Sequence, residues 1–104
     1  FGHGLVFNKY TGSRGKGNSN DANAEYIAAI RAMMDRHGVA FQTAELGKID
    51  VGGGGTIAYI TALYGMEVID SGVAVLNMHA PQEVTSKTDV YEAYRGYCAF
   101  LQEA

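Results

Sequence analysis

Short apolar runs alternate with amphipathic stretches along the chain, and together they predict three strands and three helices. The apolar runs predict strands at residues 5–7 and 39–46, and a third strand within residues 66–78, centred on 68–76. The third run is almost continuously apolar, as is typical of a strand buried on both faces. Apolar residues that recur at helical spacing predict helices at residues 22–37, 56–64 and 90–101.

Residues at the predicted boundaries favour the same helices. Asn20 or Asp21 is suited to cap the first helix, because a short polar side chain can accept an unpaired backbone N–H. Glycines stand directly after two predicted helices, where a left-handed residue commonly ends the helix, at Gly38 and Gly65. Ser86, followed three residues later by Asp89, predicts a start resembling a capping box for the third helix.

The element order is therefore β-α-β-α-β-α, which predicts an α/β fold with parallel strands, right-handed crossovers and helices covering the sheet. Three strands are few for such a sheet, so we expect further strands from another part of a longer chain. Loops that follow parallel strands lie at one edge of the sheet, where they can converge on a crevice. These loops are residues 9–19, 48–55 and 79–85.

Composition narrows the class of protein. The chain has 104 residues, enough for one small domain with a core. A net charge of −3 argues against a nucleic-acid partner. Cys98 is the single cysteine, which excludes an internal disulfide and favours a reducing, cytoplasmic compartment. No apolar run approaches the roughly 18 residues of a membrane span, and no signal-peptide pattern is present, so we expect no membrane partner.

Four consecutive glycines at residues 52–55 precede the second predicted helix. Such a run removes side chains where a backbone passes close to a ligand, and N–H groups at a helix start attract an anion or a carbonyl oxygen. The run fits neither the phosphate-loop nor the dinucleotide-binding fingerprint. A flexible turn is the alternative, although a simple turn does not require the entropy cost of four glycines.

His79 follows the third apolar run and is the best candidate for a metal ligand. The alternative is a hydrogen-bonded histidine at the end of a strand. A zinc site needs three or more protein ligands, and no His-Glu-x-x-His motif is present, so the sequence supplies one ligand at most.

Other chemically interesting side chains have plainer interpretations. Asp70 lies in an apolar run, so we expect it to be buried with a hydrogen-bond partner. The last predicted helix carries Cys98 and a stripe of tyrosines, which we expect to pack in the core. The stripe consists of Tyr91, Tyr94 and Tyr97.

Five strings resemble the C-terminal part of the aspartyl aminopeptidase/aminopeptidase I-type zinc exopeptidases, especially their bacterial branch. They are KYTGSRGK at 9–16, SNDANAE at 19–25, QTAELGK at 42–48, GGGGTIA at 52–58 and MHAPQEVTSK at 78–87. The resemblance covers nearly the whole chain, and the family enzymes are several times longer. It implies that residues 1–104 are the C-terminal portion of a catalytic α/β/α sandwich domain. The rest of that domain and an oligomerisation domain would lie outside this chain, and the full-length protein would be a homo-oligomer.

The resemblance also implies roles for individual residues. His79 corresponds to the last ligand of a two-metal site that is usually zinc, with manganese or cobalt as alternatives. Lys9 corresponds to a lysine that holds an acidic substrate side chain, and the backbone of Gly53, Gly54 and Gly55 lines the substrate pocket. The other ligands and the general-base glutamate would lie upstream, so no catalytic residue is expected in this chain.

The function expected on this basis is removal of N-terminal residues, including acidic ones, from peptides by a metal-activated water. The chain on its own is expected to be inactive, because it lacks the other ligands and the base. The alternatives are a non-catalytic α/β binding or assembly module and a pseudoenzyme.

Overall fold

The computed structural model describes residues 1–11, 20–46 and 57–103. Its strands are β1 (Leu5–Thr11), β2 (Asn20–Asp21), β3 (Phe41–Leu46), β4 (Asp70–Gly72), β5 (Val75–Leu76) and β6 (Val84–Thr85). Its helices are α1 (Ala24–Arg36), α2 (Ala58–Ala62) and α3 (Lys87–Glu103). No helix in the described ranges is long and apolar enough to cross a membrane.

The strands form two sheets. The larger sheet has the order β2-β1-β3, and β4 also pairs with β1. The smaller sheet is the antiparallel pair β5-β6. This mixed α/β architecture confirms the predicted fold class. The sequence pattern missed β2 and also β6, whose residues fall in the predicted loop 79–85. Strand β2 pairs with β1 in antiparallel register, with Tyr10 opposite Asp21 and Thr11 opposite Asn20.

The third predicted strand differs most from its prediction. Its residues form two short strands, β4 and β5, because the chain leaves the larger sheet after Gly72 and then pairs with β6. The expectation of burial on both faces is wrong: the residues of β4 are half-buried and Leu76 in β5 is exposed. The apolar run therefore predicts that this segment forms strands, but it does not predict how deeply their residues are buried.

The chain divides into two compact units. The first contains residues 1–6, 29–42 and 71–104, and the second contains residues 7–28 and 43–70. The buried apolar side chains of the first are Leu5, Ile30, Met34, Val39, Ala93 and Ala99. Those of the second are Phe7, Ala22 and Ala58, beside buried Thr11 and Asn20.

In the first unit, α3 packs through its smallest residues, with Ala93, Gly96 and Ala99 all buried. A Cβ atom at Gly96 would lie only 2.6 Å from the side chain of Leu5, so no larger residue fits between them without rearrangement. Close packing of a helix against the core explains why this position is a glycine.

The tyrosine stripe lies on other faces of α3, so its predicted place in the core is wrong. Tyr91, Tyr94 and Tyr97 are 58%, 64% and 44% exposed. Helical periodicity is satisfied equally by the alanine and glycine stripe, and the smaller side chains allow the closer approach. Cys98, also expected to pack, is half-buried.

The start of α1 corrects another prediction. Asn23 caps the helix, because its side-chain Oδ1 accepts the backbone N–H of Tyr26 at 2.7 Å. Asn20 and Asp21 were the predicted caps, but they belong to β2 and pair with β1. The predicted caps have the same kind of short polar side chain, but they stand three and two residues before Asn23.

Three other residues have the predicted roles at helix ends. Gly38 and Gly65 have φ angles of 64° and 75°, as expected of glycines that follow helices. The Ser86 hydroxyl accepts the N–H of Asp89 at 3.4 Å, at the start of α3. That helix begins at Lys87, three residues before its predicted start.

Candidate metal and substrate site

His79 lies in the loop of a small hairpin in the first unit. Strands β5 and β6 pair with Leu76 opposite Val84, so residues 77–83 form the connecting loop. At the base of the hairpin, the Thr85 hydroxyl donates to the carbonyl oxygen of Ala74 at 2.8 Å. His79 therefore lies in a loop whose two ends are held together by the pairing of β5 with β6.

The backbone of this loop is strained at His79. Asn77 and His79 have φ angles of 61° and 69°, the only non-glycine residues with positive φ among those described. The Ala80 N–H donates to the Asn77 carbonyl at 3.0 Å, which makes His79 the third residue of a four-residue turn. Type II turns require positive φ at that residue, where glycine is usual. Since a side chain there costs about 1–2 kcal/mol, the structure favours a function for the histidine side chain.

The surroundings of His79 fit a ligand role. The residue is exposed, and within the described ranges its imidazole makes no hydrogen bond or ion pair. The alternative of a hydrogen-bonded histidine at a strand end finds no support among these residues. The backbone N–H of His79 donates to the Glu83 carboxylate. An accessible imidazole is a common zinc ligand, so this residue fits the metal.

The described part of the chain does not complete a metal site by itself. No three His, Cys, Asp or Glu side chains within it come close enough together to hold a metal ion. A zinc site that uses His79 therefore needs ligands from outside the described residues. Asp70, expected to be buried, is only half-buried in β4.

Lys9 lies on β1 in the second unit, and its position is set by β2. Its Nζ atom lies 2.6 Å from Oδ1 of Asp21, and the two side chains are 46% and 58% exposed. The Ala22 N–H donates to the Lys9 carbonyl at 2.8 Å. At this exposure the ion pair contributes about 0.2–1 kcal/mol, so a substrate carboxylate could compete for the ammonium group.

The remaining predicted site residues are Gly53, Gly54 and Gly55, and they lie outside the described residues. Lys9 and His79 belong to different units. The proposed substrate-binding roles of Lys9 and the glycines therefore remain predictions.

Asp89 is a buried side chain whose structural role the sequence did not indicate. It is completely buried, and its two oxygens accept the N–H groups of Gly2 at 2.7 Å and Gly4 at 2.8 Å. These bonds hold the pKa of the Asp89 carboxyl below its usual value. In the sequence, this contact is indicated only by the two glycines near the start of the chain, Gly2 and Gly4. They do not show that Asp89 is the acceptor.

The C-terminal ends of α1 and α3 meet through charged side chains. The Glu103 carboxylate accepts a hydrogen bond from Arg36, and its other oxygen lies 2.6 Å from Nε2 of His37. The bond from Arg36 is the main reason why the pKa of Glu103 is lowered. His37 thus takes part in a contact between the ends of two helices.

The whole chain is similar to one family of metallopeptidases. The profile of the family described as "Aminopeptidase I zinc metalloprotease (M18)" matches residues 1–101. A relative from Clostridium acetobutylicum, called a probable M18 family aminopeptidase 1, is 67% identical over 100 residues. The match covers 96% of this chain and 22% of that protein. The chain therefore spans about a fifth of the length of its relatives.

Solved structures agree on the fold. The crystal structure of aminopeptidase I from Clostridium acetobutylicum superposes with a TM-score of 0.86 at 67% identity. An M18 family aminopeptidase from Thermotoga maritima superposes with a TM-score of 0.90 at 48% identity. These matches cover 94% and 97% of this chain, and 22% of each relative's chain. The chain belongs to the M18 family of aminopeptidase I zinc metalloproteases.

Proposed function

We propose that the whole protein containing this chain is a zinc-dependent aminopeptidase, and that His79 supplies one ligand of its metal site. The observation that carries this proposal is the exposed imidazole of His79, held at a φ angle of 69° where glycine would be relaxed. Family membership supports the zinc chemistry. The relatives are named as aminopeptidases, which supports peptides as substrates.

Each proposed residue has a separate task. When bound, zinc polarises a peptide carbonyl and lowers the pKa of a bound water. The imidazole of His79 would hold the metal through a neutral nitrogen. The Lys9 ammonium would attract an acidic substrate side chain, and the backbone of Gly53, Gly54 and Gly55 would line the pocket. The other ligands, the second metal and the general base would come from outside this chain.

The wider organisation is part of the same proposal. Residues 1–104 would be the C-terminal portion of a catalytic domain, in a homo-oligomeric protein of the cytoplasm. The composition supports this placement, because a single cysteine suits a reducing compartment.

The test is metal analysis and peptidase assay of the whole protein and its His79→Ala variant. We expect zinc in the wild-type protein, activity that a chelator removes and zinc restores, and loss of both zinc and activity in the variant. His3→Ala is the matched control, since it removes another exposed histidine and should keep zinc and activity.

Two results would contradict the proposal in different ways. Full zinc occupancy in His79→Ala would reject the ligand assignment. A wild-type protein that binds zinc but hydrolyses no aminoacyl substrate would instead favour the binding-module or pseudoenzyme alternative.

A further inference from the structure

We propose that Glu83 is the positioning residue for His79. Its carboxylate accepts the backbone N–H of His79 and so fixes the loop conformation in which the imidazole can reach a metal ion. This inference rests on the proposed function, because it concerns the metal that His79 would bind. Glu83 itself acts through His79 and does not need to touch the metal or the substrate.

The construction of the loop gives Glu83 this task. Strands β5 and β6 contain only two residues each, so the ladder that closes the hairpin is short. The turn at its tip is held by the bond between the Ala80 N–H and the Asn77 carbonyl. Glu83 reaches back four residues from the other side of the loop to the N–H of His79. The Glu83 carboxylate therefore connects the end of the loop, next to β6, to His79 near its start.

The positive φ angle of His79 gives such a contact a role. A histidine in the left-handed region relaxes toward negative φ unless neighbouring groups hold it there. Rotation about φ would change the direction of the Cα–Cβ bond and move the imidazole. A carboxylate that accepts an N–H forms a charge-assisted bond, roughly twice as strong as a neutral one, so Glu83 is well suited to hold this conformation.

The position of the ring matters because zinc binding is directional. A zinc–imidazole bond has a length of about 2.0–2.1 Å, within a nearly tetrahedral set of ligands. Groups that orient a metal ligand commonly change metal affinity by about 10- to 100-fold when they are removed. Glu83 acts on the backbone of the ligand, so we expect an effect of about tenfold, at the lower end of this range.

The experiment measures zinc affinity of the whole protein by competition with a chromogenic chelator, after metal removal. Glu83→Ala should weaken zinc binding about tenfold. Glu83→Gln should recover most of the affinity, because its amide oxygen can still accept the N–H. Gln82→Ala is the matched control: it changes an exposed neighbour in the same loop and should leave zinc affinity unchanged.

A double substitution separates positioning from other roles. If Glu83 acts only through His79, Glu83→Ala should have no further effect on zinc affinity once His79→Ala is present. The wild-type protein, the two single variants and the double variant form the cycle. Thermal melting of each metal-free protein verifies that the variants are folded.

Each remaining outcome overturns the inference. Folded Glu83→Ala protein with zinc affinity within about twofold of wild type would show that Glu83 does not position the ligand. Equal and severe loss in Glu83→Ala and Glu83→Gln, additive with His79→Ala, would make Glu83 a ligand in its own right. The proposed function fails separately, if His79→Ala alone leaves zinc affinity unchanged.

Discussion

The carboxylate of Asp89 accepts the backbone N–H of Gly4 at 2.8 Å, although 85 residues separate them in the chain. Asp89 lies in the first turn of α3, and both groups are buried. This contact ties the start of β1 to the last helix of the same unit. It lies next to the close approach of Gly4 to Ala40, where a Cβ atom would be 2.2 Å from the Ala40 carbonyl oxygen.

Replacement of Asp89 should destabilise the protein. Asp89→Ala removes the acceptor of a buried N–H, and an unsatisfied buried N–H such as that of Gly4 costs about 1–3 kcal/mol. Asp89→Asn keeps one oxygen and should lose less. Chemical denaturation of the whole protein measures both. Glu25→Ala, a change of an exposed carboxylate on α1, is the control. Equal stability of Asp89→Ala and wild type would show that water replaces the carboxylate at no cost.

The same carboxylate predicts a pH dependence. The pKa of Asp89 is lowered in the folded state, first by the N–H of Gly2 and then by that of Gly4. The stabilisation is therefore complete above the ordinary Asp pKa of about 3.9 and is lost as the pH falls through the lower folded-state value. The difference in melting temperature between wild type and Asp89→Asn should shrink as the pH is lowered below about 4. A difference that stays constant down to pH values of about 2 would contradict the assignment.

The sequence indicated those features that depend on local conformation or on chemical identity. Gly38 and Gly65 were placed correctly, because a helix followed by a glycine has one common backbone solution. His79 was singled out by its chemistry and its place after an apolar run. Its positive φ was not predictable, because only a few per cent of non-glycine residues adopt that conformation, even though histidine is among the enriched types.

The features that the sequence missed depend on distant partners. Asn23, and not Asn20, caps α1 because pairing with β1 takes the earlier residue into a strand. On α3, two stripes of residues have helical spacing, and only packing against Leu5 decides that Gly96 faces the core while Tyr94 is exposed. The sequence placed Asp89 at the start of a helix. It did not show that the Asp89 carboxylate accepts N–H groups from the other end of the chain.

Glycine at position 79 should separate stability from metal binding. His79→Gly relieves a left-handed backbone and should stabilise the metal-free protein by about 1 kcal/mol, while zinc binding is lost. His79→Ala keeps the strain, so it should lose zinc without that gain. Asn77→Gly is the matched control, since it relaxes the other positive φ in the loop and keeps the ligand. Calorimetric melting of the metal-free proteins and zinc titration provide the two measurements. A lower melting temperature for His79→Gly than for His79→Ala would refute the strain argument.

If the proposed function and the proposed role of Lys9 hold, the pair Lys9–Asp21 affects how strongly acidic N-terminal residues are preferred over neutral ones. The Asp21 carboxylate, 2.6 Å from Nζ of Lys9, weakens the attraction of this charge for an acidic substrate side chain. Asp21→Asn should therefore raise kcat/KM for an N-terminal aspartate relative to leucine by up to about fivefold, the upper value for an exposed ion pair. Lys9→Met should lower the same ratio.

The ratio of the two substrates is the decisive quantity, because a general loss of folding or metal would affect both equally. Glu67→Gln is the matched control. It changes another carboxylate of the same unit, which accepts a hydrogen bond from Asn23. The ratio should be lowered in Lys9→Met whether or not Asp21 is present, since Asp21 acts through the ammonium group. A ratio that rises equally in Asp21→Asn and in the double variant would show that Asp21 repels the substrate directly. An unchanged ratio in Lys9→Met would remove Lys9 from the substrate site.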